Sequence, residues 1–419
     1  MNSFQPHVAP PGGRTNRRRT LVLGVAIALV AANLRPALAS VGPVLSDIRA
    51  DLGLSGVDAS LLTSLPVICL GAVAALAPAV SRRWGSERVI AVVVAVIAVA
   101  LVLRVIDGRI ALFLGSVVVA GAIAIANVLI PSVIKRDFSG HTGTMTGVYT
   151  MSLSGAAAVA AGVTVPLSNA SDQGWRGGLA FWAIPAAVAF VVWTLLVWVP
   201  ARRNPSIAPP HGAEESLLHD RLAWYITFYF GLQSLSFYTV LSWLPSIYRD
   251  AGYEPATAGL LLSISAFVQI PVSLVLPPFA SRAPDQRLHT LAGAVATAAG
   301  LAGVMIAPAG APYLWVVLIG IGQGGSFGLG LLLFSLRTRT TAATARLSAQ
   351  AQTVGYLLAA AGPLLVGAVH DVTGSWSFAV GLLIALTVPQ IVFGLLAGAP
   401  RFVGPAPSEP GVTSHAETS

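Results

Sequence analysis

The chain has 419 residues, 55% of them apolar and 10% charged, with a mean hydropathy of +0.78. Water-soluble domains carry about a quarter charged residues, so this composition excludes a water-facing globular fold and requires lipid as the solvent. The net charge of +8 is not a nucleic-acid footprint, because the basic residues stand in short clusters between apolar runs, the pattern that orients a membrane protein.

A membrane-crossing helix takes about 20 apolar residues. Twelve such runs follow one another: 20–48, 57–80, 88–106, 110–134, 143–168, 178–200, 221–248, 256–281, 288–309, 311–336, 346–370 and 376–398. The first begins behind Arg17, Arg18 and Arg19 and continues past Asn33, Arg35 and Pro36 without a cleavage-like site. It reads as an uncleaved span rather than a signal peptide. Cys69, the single cysteine, lies in an apolar run and excludes an internal disulfide or a multi-cysteine metal site.

Basic residues fall on alternate connections. Eighteen of the 24 Lys and Arg, from Arg14 through Lys135 and Arg337 to Arg401, share one side. Five (Arg49, Arg104, Arg109, Arg176 and Arg249) sit at the opposite helix ends or loops, and Arg35 lies inside a span. The positive-inside rule then places both termini in the cytoplasm. The longest polar connection, with Pro205, Pro209, Pro210, Glu214 and Glu215, falls in the middle of the chain. The expected organisation is a tail (1–19), a six-helix bundle (20–200), a linker (201–220), a second six-helix bundle (221–398) and a second tail (399–419).

The two halves repeat. A shift of 200 residues superposes Arg49 on Arg249, Leu61 and Leu62 on Leu261 and Leu262, Pro78 on Pro278, and Ser81-Arg82 on Ser281-Arg282. A weaker echo pairs Lys135 through Trp175 with Arg337 through Trp376. A parallel repeat of six-helix halves predicts an all-α membrane protein of twelve transmembrane helices in two pseudo-symmetric bundles, with a site at the midplane between them.

Polar residues inside spans are the candidates for that site. An arginine at mid-bilayer costs about 2.5–3.5 kcal/mol on insertion scales, so Arg35 is expected to face a cavity or a partner. Its fork of donors suits carboxylate, cyanate-like or nitro oxygens. The alternative is a structural arginine bonded to carbonyls of a neighbouring helix. Asn33 adds an amide nearby, and Pro36 lets the backbone bend. Asn127 needs a partner in lipid, across a helix interface or in the cavity. In the seventh span Gln233, Tyr238 and Trp243 belong to polar and aromatic faces at helical spacing, expected to line a cavity or to bond neighbouring helices. Gln323 stands in a glycine-rich run that lacks the strand of a nucleotide loop and reads as close packing or bending, with Gln323 itself a candidate to point into the cavity. Gln352 with Tyr356, and Tyr149 with Thr150, complete the set. No Asp or Glu lies near the middle of a span, which fits an anionic or neutral polar solute better than a cation.

The loop Ala79-Val80-Ser81-Arg82-Arg83-Trp84-Gly85-Ser86-Glu87-Arg88 resembles a worn signature loop of the major facilitator superfamily, with Arg82 where that family has an acid. Longer strings are similar to the cyanate permease and nitroimidazole transporter (CynX/NimT) branch. They are Asn33-Leu34-Arg35-Pro36-Ala37 with Ser40-Val41-Gly42-Pro43, Asn127-Val128-Leu129-Ile130-Pro131 with Lys135-Arg136-Asp137-Phe138, and Thr146-Gly147-Val148-Tyr149-Thr150. In the second half they are Leu232-Gln233-Ser234-Leu235-Ser236-Phe237-Tyr238 with Trp243-Leu244-Pro245, and Gly355-Tyr356-Leu357. The resemblance implies a secondary active or facilitative transporter of a small anionic or polar solute, working by alternating access in a bacterial inner membrane. It implies a monomer without cofactor, with protons as the candidate coupling ion.

A broader drug exporter of the same fold is the alternative, with Arg35 only structural. A membrane enzyme would need a cluster of His, Asp or Glu at one surface, and a sensor would carry a signalling domain; the sequence has neither.

Overall fold

The computed structural model describes residues 13–106, 108–198 and 217–404, and every regular element among them is a helix. Most of the expected linker and the outer parts of both tails lie outside the described residues. Twelve helical spans stand where the apolar runs predict them. In the first half they are Thr20–Leu52, Gly56–Ala74 continued by Ala77–Trp84, Ser86–Leu103, Arg109–Asp137, Thr142–Asn169 and Trp175–Trp198. In the second half they are Arg221–Asp250, Pro255–Arg282, Arg287–Ile306, Pro312–Leu336, Thr341–Thr373 and Trp376–Ala397. They are called spans 1 to 12 below.

Eleven of these, counting the bent second span as one, are apolar and long enough to cross a membrane. Span 7 has the length, but Tyr225, Tyr229, Gln233, Ser234, Ser236 and Tyr238 lower its hydropathy. Four of the six, Tyr229, Gln233, Ser234 and Ser236, are buried inside the protein.

Local chemistry sets the ends. Ser55 and Asp58 form a capping box that opens span 2. Asp220 accepts from the amides of Leu222 and Ala223 at the start of span 7, and Thr340 does the same for Ala343 in span 11.

Prolines act according to context. Pro36 has no N–H to give the carbonyl one turn back, and the helix of span 1 ends at Leu34 and restarts as Pro36–Ala39. Span 2 bends by 53° between Leu61–Ala74 and Ala77–Trp84, where Pro78 withholds a bond from Ala74. Pro278, the repeat counterpart of Pro78, lies inside the continuous helix Pro255–Arg282.

The packing repeats with the sequence. Within the first half span 1 packs on 5 and 6, span 4 on 2 and 3, and span 3 on 6. Adding six to each number reproduces the contacts of the second half: 7 on 11 and 12, 10 on 8 and 9, and 9 on 12. Contacts between the halves obey the same rule, since span 5 meets 8 as 11 meets 2, and span 4 meets 11 as 10 meets 5.

The halves touch closely at the face that carries the starts of spans 1 and 7. A Cβ on Gly147 of span 5 would strike the carbonyl of Leu274 in span 8, so only glycine permits that approach. Three bonds cross between the halves here: Lys135 Nζ to the carbonyl of Ser335 at 2.9 Å, Ser335 Oγ to that of Pro131 at 3.3 Å, and Thr150 Oγ1 to that of Ser273 at 2.8 Å.

Candidate functional site

Toward the other face the halves part around a cavity of about 670 Å³. Its walls come from residues 35–43 of span 1, 62–67 of span 2, 154–161 of span 5, 237–242 of span 7, 262–269 of span 8 and 359–363 of span 11, with Ser116 of span 4 and Gln323 of span 10. Each stretch is the part of its helix remote from the closed face. A second groove, about 430 Å³, runs past Ala95, Val99, Leu103, Val118 and Phe190 on the outer surface. Its walls are apolar and face the lipid side, so it offers no polar recognition.

Arg35 enters the cavity from the break in span 1. Its guanidinium carbon lies over the ring of Phe327 at 4.9 Å and over that of Phe237 at 5.4 Å. Such contacts hold a cation by about 0.5–2 kcal/mol each without using its N–H donors. Among the described residues Arg35 makes no ion pair and donates no side-chain hydrogen bond to the protein, and no Asp or Glu lines the cavity. The acids nearest the spans (Asp47, Asp58, Asp137, Asp250, Glu254 and Asp371) stand at helix ends or just beyond them. The cavity therefore holds a positive, bidentate donor with no built-in counter-charge.

The break that aims Arg35 is itself held. Arg104, 1% exposed, donates to the carbonyl of Ala37 at 2.7 Å and to Ser40 Oγ at 3.3 Å. Gly115 makes room for it, since a Cβ there would collide with Arg104. By sequence alone Arg104 belongs with the topology-setting charges at the helix ends. It does stand at the end of span 3, but it is buried and bonded to the neighbouring span 1, the role weighed as the alternative for Arg35.

Three of the predicted residues, Arg35, Tyr238 and Gln323, line the cavity. Four more form the layer beneath it, between cavity and closed face. Tyr149 Oη donates to Asn127 Oδ1 at 3.0 Å, and Gln352 Nε2 donates to the carbonyl of Asn127 at 3.1 Å and to Ser348 Oγ at 2.8 Å. Tyr356 packs edge-on against Phe230 and Tyr238. This layer joins spans 4, 5 and 11 and so crosses between the halves.

The remaining three turn elsewhere. Asn33 donates to the carbonyl of Leu29 in its own helix at 2.8 Å. Gln233 is buried and accepts from Ser234 Oγ at 3.3 Å. Trp243 donates to the carbonyl of Pro363 at 2.9 Å and stands behind the wall rather than in it. The aromatic neighbours of the charge are Phe237 and Phe327, which the sequence reading did not single out. Ser265 and Gln269 of span 8 were also missed, although the rule that flagged Asn127, an amide among apolar neighbours, applies equally to Gln269 between Val268 and Ile270.

Comparison with known proteins places this architecture. The family model described as Major Facilitator Superfamily matches residues 21–363, and the chain belongs to that superfamily. It is a multi-pass membrane transporter and not an enzyme.

The chain is 37% identical over 383 residues to an uncharacterized transporter of Bacillus subtilis (strain 168), YycB, covering 90% of this chain and 93% of the relative. It is 34% identical over 387 residues to the 2-nitroimidazole transporter of Escherichia coli (strain K12), covering 91% and 96%. To the cyanate transport protein CynX of the same strain it is 31% identical over 367 residues, covering 85% and 94%. Among solved structures, the proton:xylose symporter XylE superposes with a TM-score of 0.72 at 12% identity, covering 90% of this chain and 95% of that one. At that identity the likeness speaks for the fold alone.

Proposed function

We propose that the protein moves a small anionic or polar planar solute, of the cyanate or nitroimidazole kind, across the bacterial inner membrane by alternating access. The observation that carries this reading is Arg35, a guanidinium held by two phenylalanine rings in a cavity without a carboxylate. A planar fork of donors matches the paired oxygens of a carboxylate or nitro group, or one end of a linear anion. The relatives named for 2-nitroimidazole and for cyanate support the same solute class.

In this reading the protein works as a monomer with both termini cytoplasmic, so the cavity faces the outside and the closed face the cytoplasm. Arg35 anchors the solute, Tyr238 and Gln323 flank it, and the layer of Asn127, Tyr149, Gln352 and Tyr356 separates it from the cytoplasm. The passage opens inward when the bonds from Lys135 and Thr150 to the other half break and the halves rock.

Uptake of labelled cyanate and 2-nitroimidazole into proteoliposomes tests this, for wild type, Arg35→Ala and Arg35→Lys, with and without a pH gradient. Saturable uptake lost in the alanine variant and weakened in the lysine variant is expected. Stimulation by an inward proton gradient would assign protons as the coupling ion. Wild-type vesicles that move neither solute would overturn the solute class. Unchanged uptake in a folded Arg35→Ala variant would make Arg35 structural.

A further inference from the structure

We propose that Ser265, Gln269 and Gln323 form a second polar subsite in the same cavity, so that the solute the site fits best is a ring acid with a second polar group opposite the acidic one. This rests on Arg35 as the anchor for the acid.

The three side chains converge because spans 8 and 10 are in backbone contact. A Cβ on Gly324 would lie 2.8 Å from Gln269 Cα, and one on Gly320 would strike the carbonyl of Ser265. The glycine-rich run thereby sets Gln323 beside the two residues of span 8. All three line the cavity and are at least nine-tenths buried.

Their hydrogen bonding is incomplete. Among the described residues Gln323 Nε2 and Ser265 Oγ have no partner, and Gln269 Nε2 reaches only its own helix at the carbonyl of Ser265, 3.4 Å away. Buried donors and acceptors are ordinarily satisfied. Open ones held just behind one wall of a cavity are groups that a polar substituent seated there satisfies once the side chains turn toward it.

Spacing supplies the shape of the solute. Arg35 lies over Phe327, and Gln323 is one turn back along the same helix toward the open face. Four residues of α-helix rise about 6 Å, comparable to the distance between para substituents across a benzene ring. The volume agrees, since a cavity of about 670 Å³ is of the size that encloses a ring-sized ligand and leaves a three-atom anion mostly surrounded by water.

Isothermal titration of the purified full-length protein with benzoate and with 4-carbamoylbenzoate tests the inference. The amide-bearing acid is expected to bind wild type at least tenfold tighter than benzoate. In Gln323→Leu and in Gln269→Leu the ratio of the two affinities is expected to fall to about one. The wild-type ratio needs no variant, and Gln323→Met serves as a close isostere should the leucine variant fold poorly. Equal affinity of wild type for the two acids, or an undiminished ratio in both variants, would overturn the subsite while leaving the Arg35 anchor in place. If neither acid binds, the anchor for ring acids falls, and the subsite with it.

Discussion

Arg104 reaches from the end of span 3 to the carbonyl of Ala37 at 2.7 Å, two residues beyond the arginine that faces the cavity. With Ser40 as its second acceptor, it fixes the piece of span 1 that Pro36 has cut loose. Arg104→Leu strands a carbonyl and a hydroxyl in a buried place, at about 1–3 kcal/mol for each unsatisfied group. The expected result is a lower melting temperature and a raised KM for the solute, with Arg104→Lys between that variant and wild type. A KM unchanged in the leucine variant would reduce Arg104 to a packing role.

Phe237 and Phe327 hold the Arg35 guanidinium where its edge is free. Replacing either by leucine keeps apolar bulk but removes a contact of about 0.5–2 kcal/mol. At about 1.4 kcal/mol per tenfold, affinity for an anionic solute should weaken roughly two- to thirty-fold. Affinity for a neutral heterocycle should change less. Titration of both solutes against both variants checks this, and equal losses for the two would separate the rings from the charge.

At the closed face Lys135 and Thr150 each donate to a carbonyl of the other half. A neutral hydrogen bond is worth about 0.5–1.5 kcal/mol net and one from a charged group about 1.5–3 kcal/mol, so Thr150→Val should shift the balance toward the opposite opening by roughly two- to twelvefold and Lys135→Met by roughly 12- to 140-fold. Spin labels at Ser139→Cys and Ala342→Cys, in a Cys69→Ser background, read it as growth of a longer-distance population. A distance distribution identical to that of the unmodified pair would show that these bonds do not set the balance.

Trp376 Nε1 donates to Asp250 at 2.6 Å, and Trp175 Nε1 donates to Asp51 at 3.2 Å. Each bond ties the start of a half's last span to the end of its first. Both aspartates are exposed, so each Trp→Phe change should cost about 1 kcal/mol or less. The two bonds lie in different halves with no shared partner, and the losses should add in the double variant. Scanning fluorimetry on the two single variants and the double checks additivity.

Spans and repeat were legible because they follow from hydropathy and residue identity alone. The Trp175–Trp376 echo was visible as well, and its meaning came only with the partners Asp51 and Asp250, which no spacing rule joins to them. The depth of Arg35 marked it as a cavity residue, since a charge in lipid has few other places to go. Side-chain direction was harder to read. Asn33 sits two residues from Arg35 yet turns to its own helix, and Trp243, on the polar span 7, turns to Pro363 while Phe237 faces the charge. Pro78 and Pro278 are equivalent in sequence, but one lies at a 53° bend and the other in a continuous helix. Such outcomes depend on what neighbouring helices offer, and that is not written locally.

In the proposed reading, an anchor without a counter-acid also fixes where the membrane voltage acts. With a monovalent anion seated at Arg35 the site is electrically neutral, and with the cavity empty it carries one positive charge. In a cycle of the kind proposed, the loaded crossing is then indifferent to voltage and the empty return is not. Moving a full charge through the whole field is worth about 2.3 kcal/mol per 100 mV, and a rocking step moves it through part of that. Current carried by the protein would accordingly report the empty return, even when the anion has been left behind.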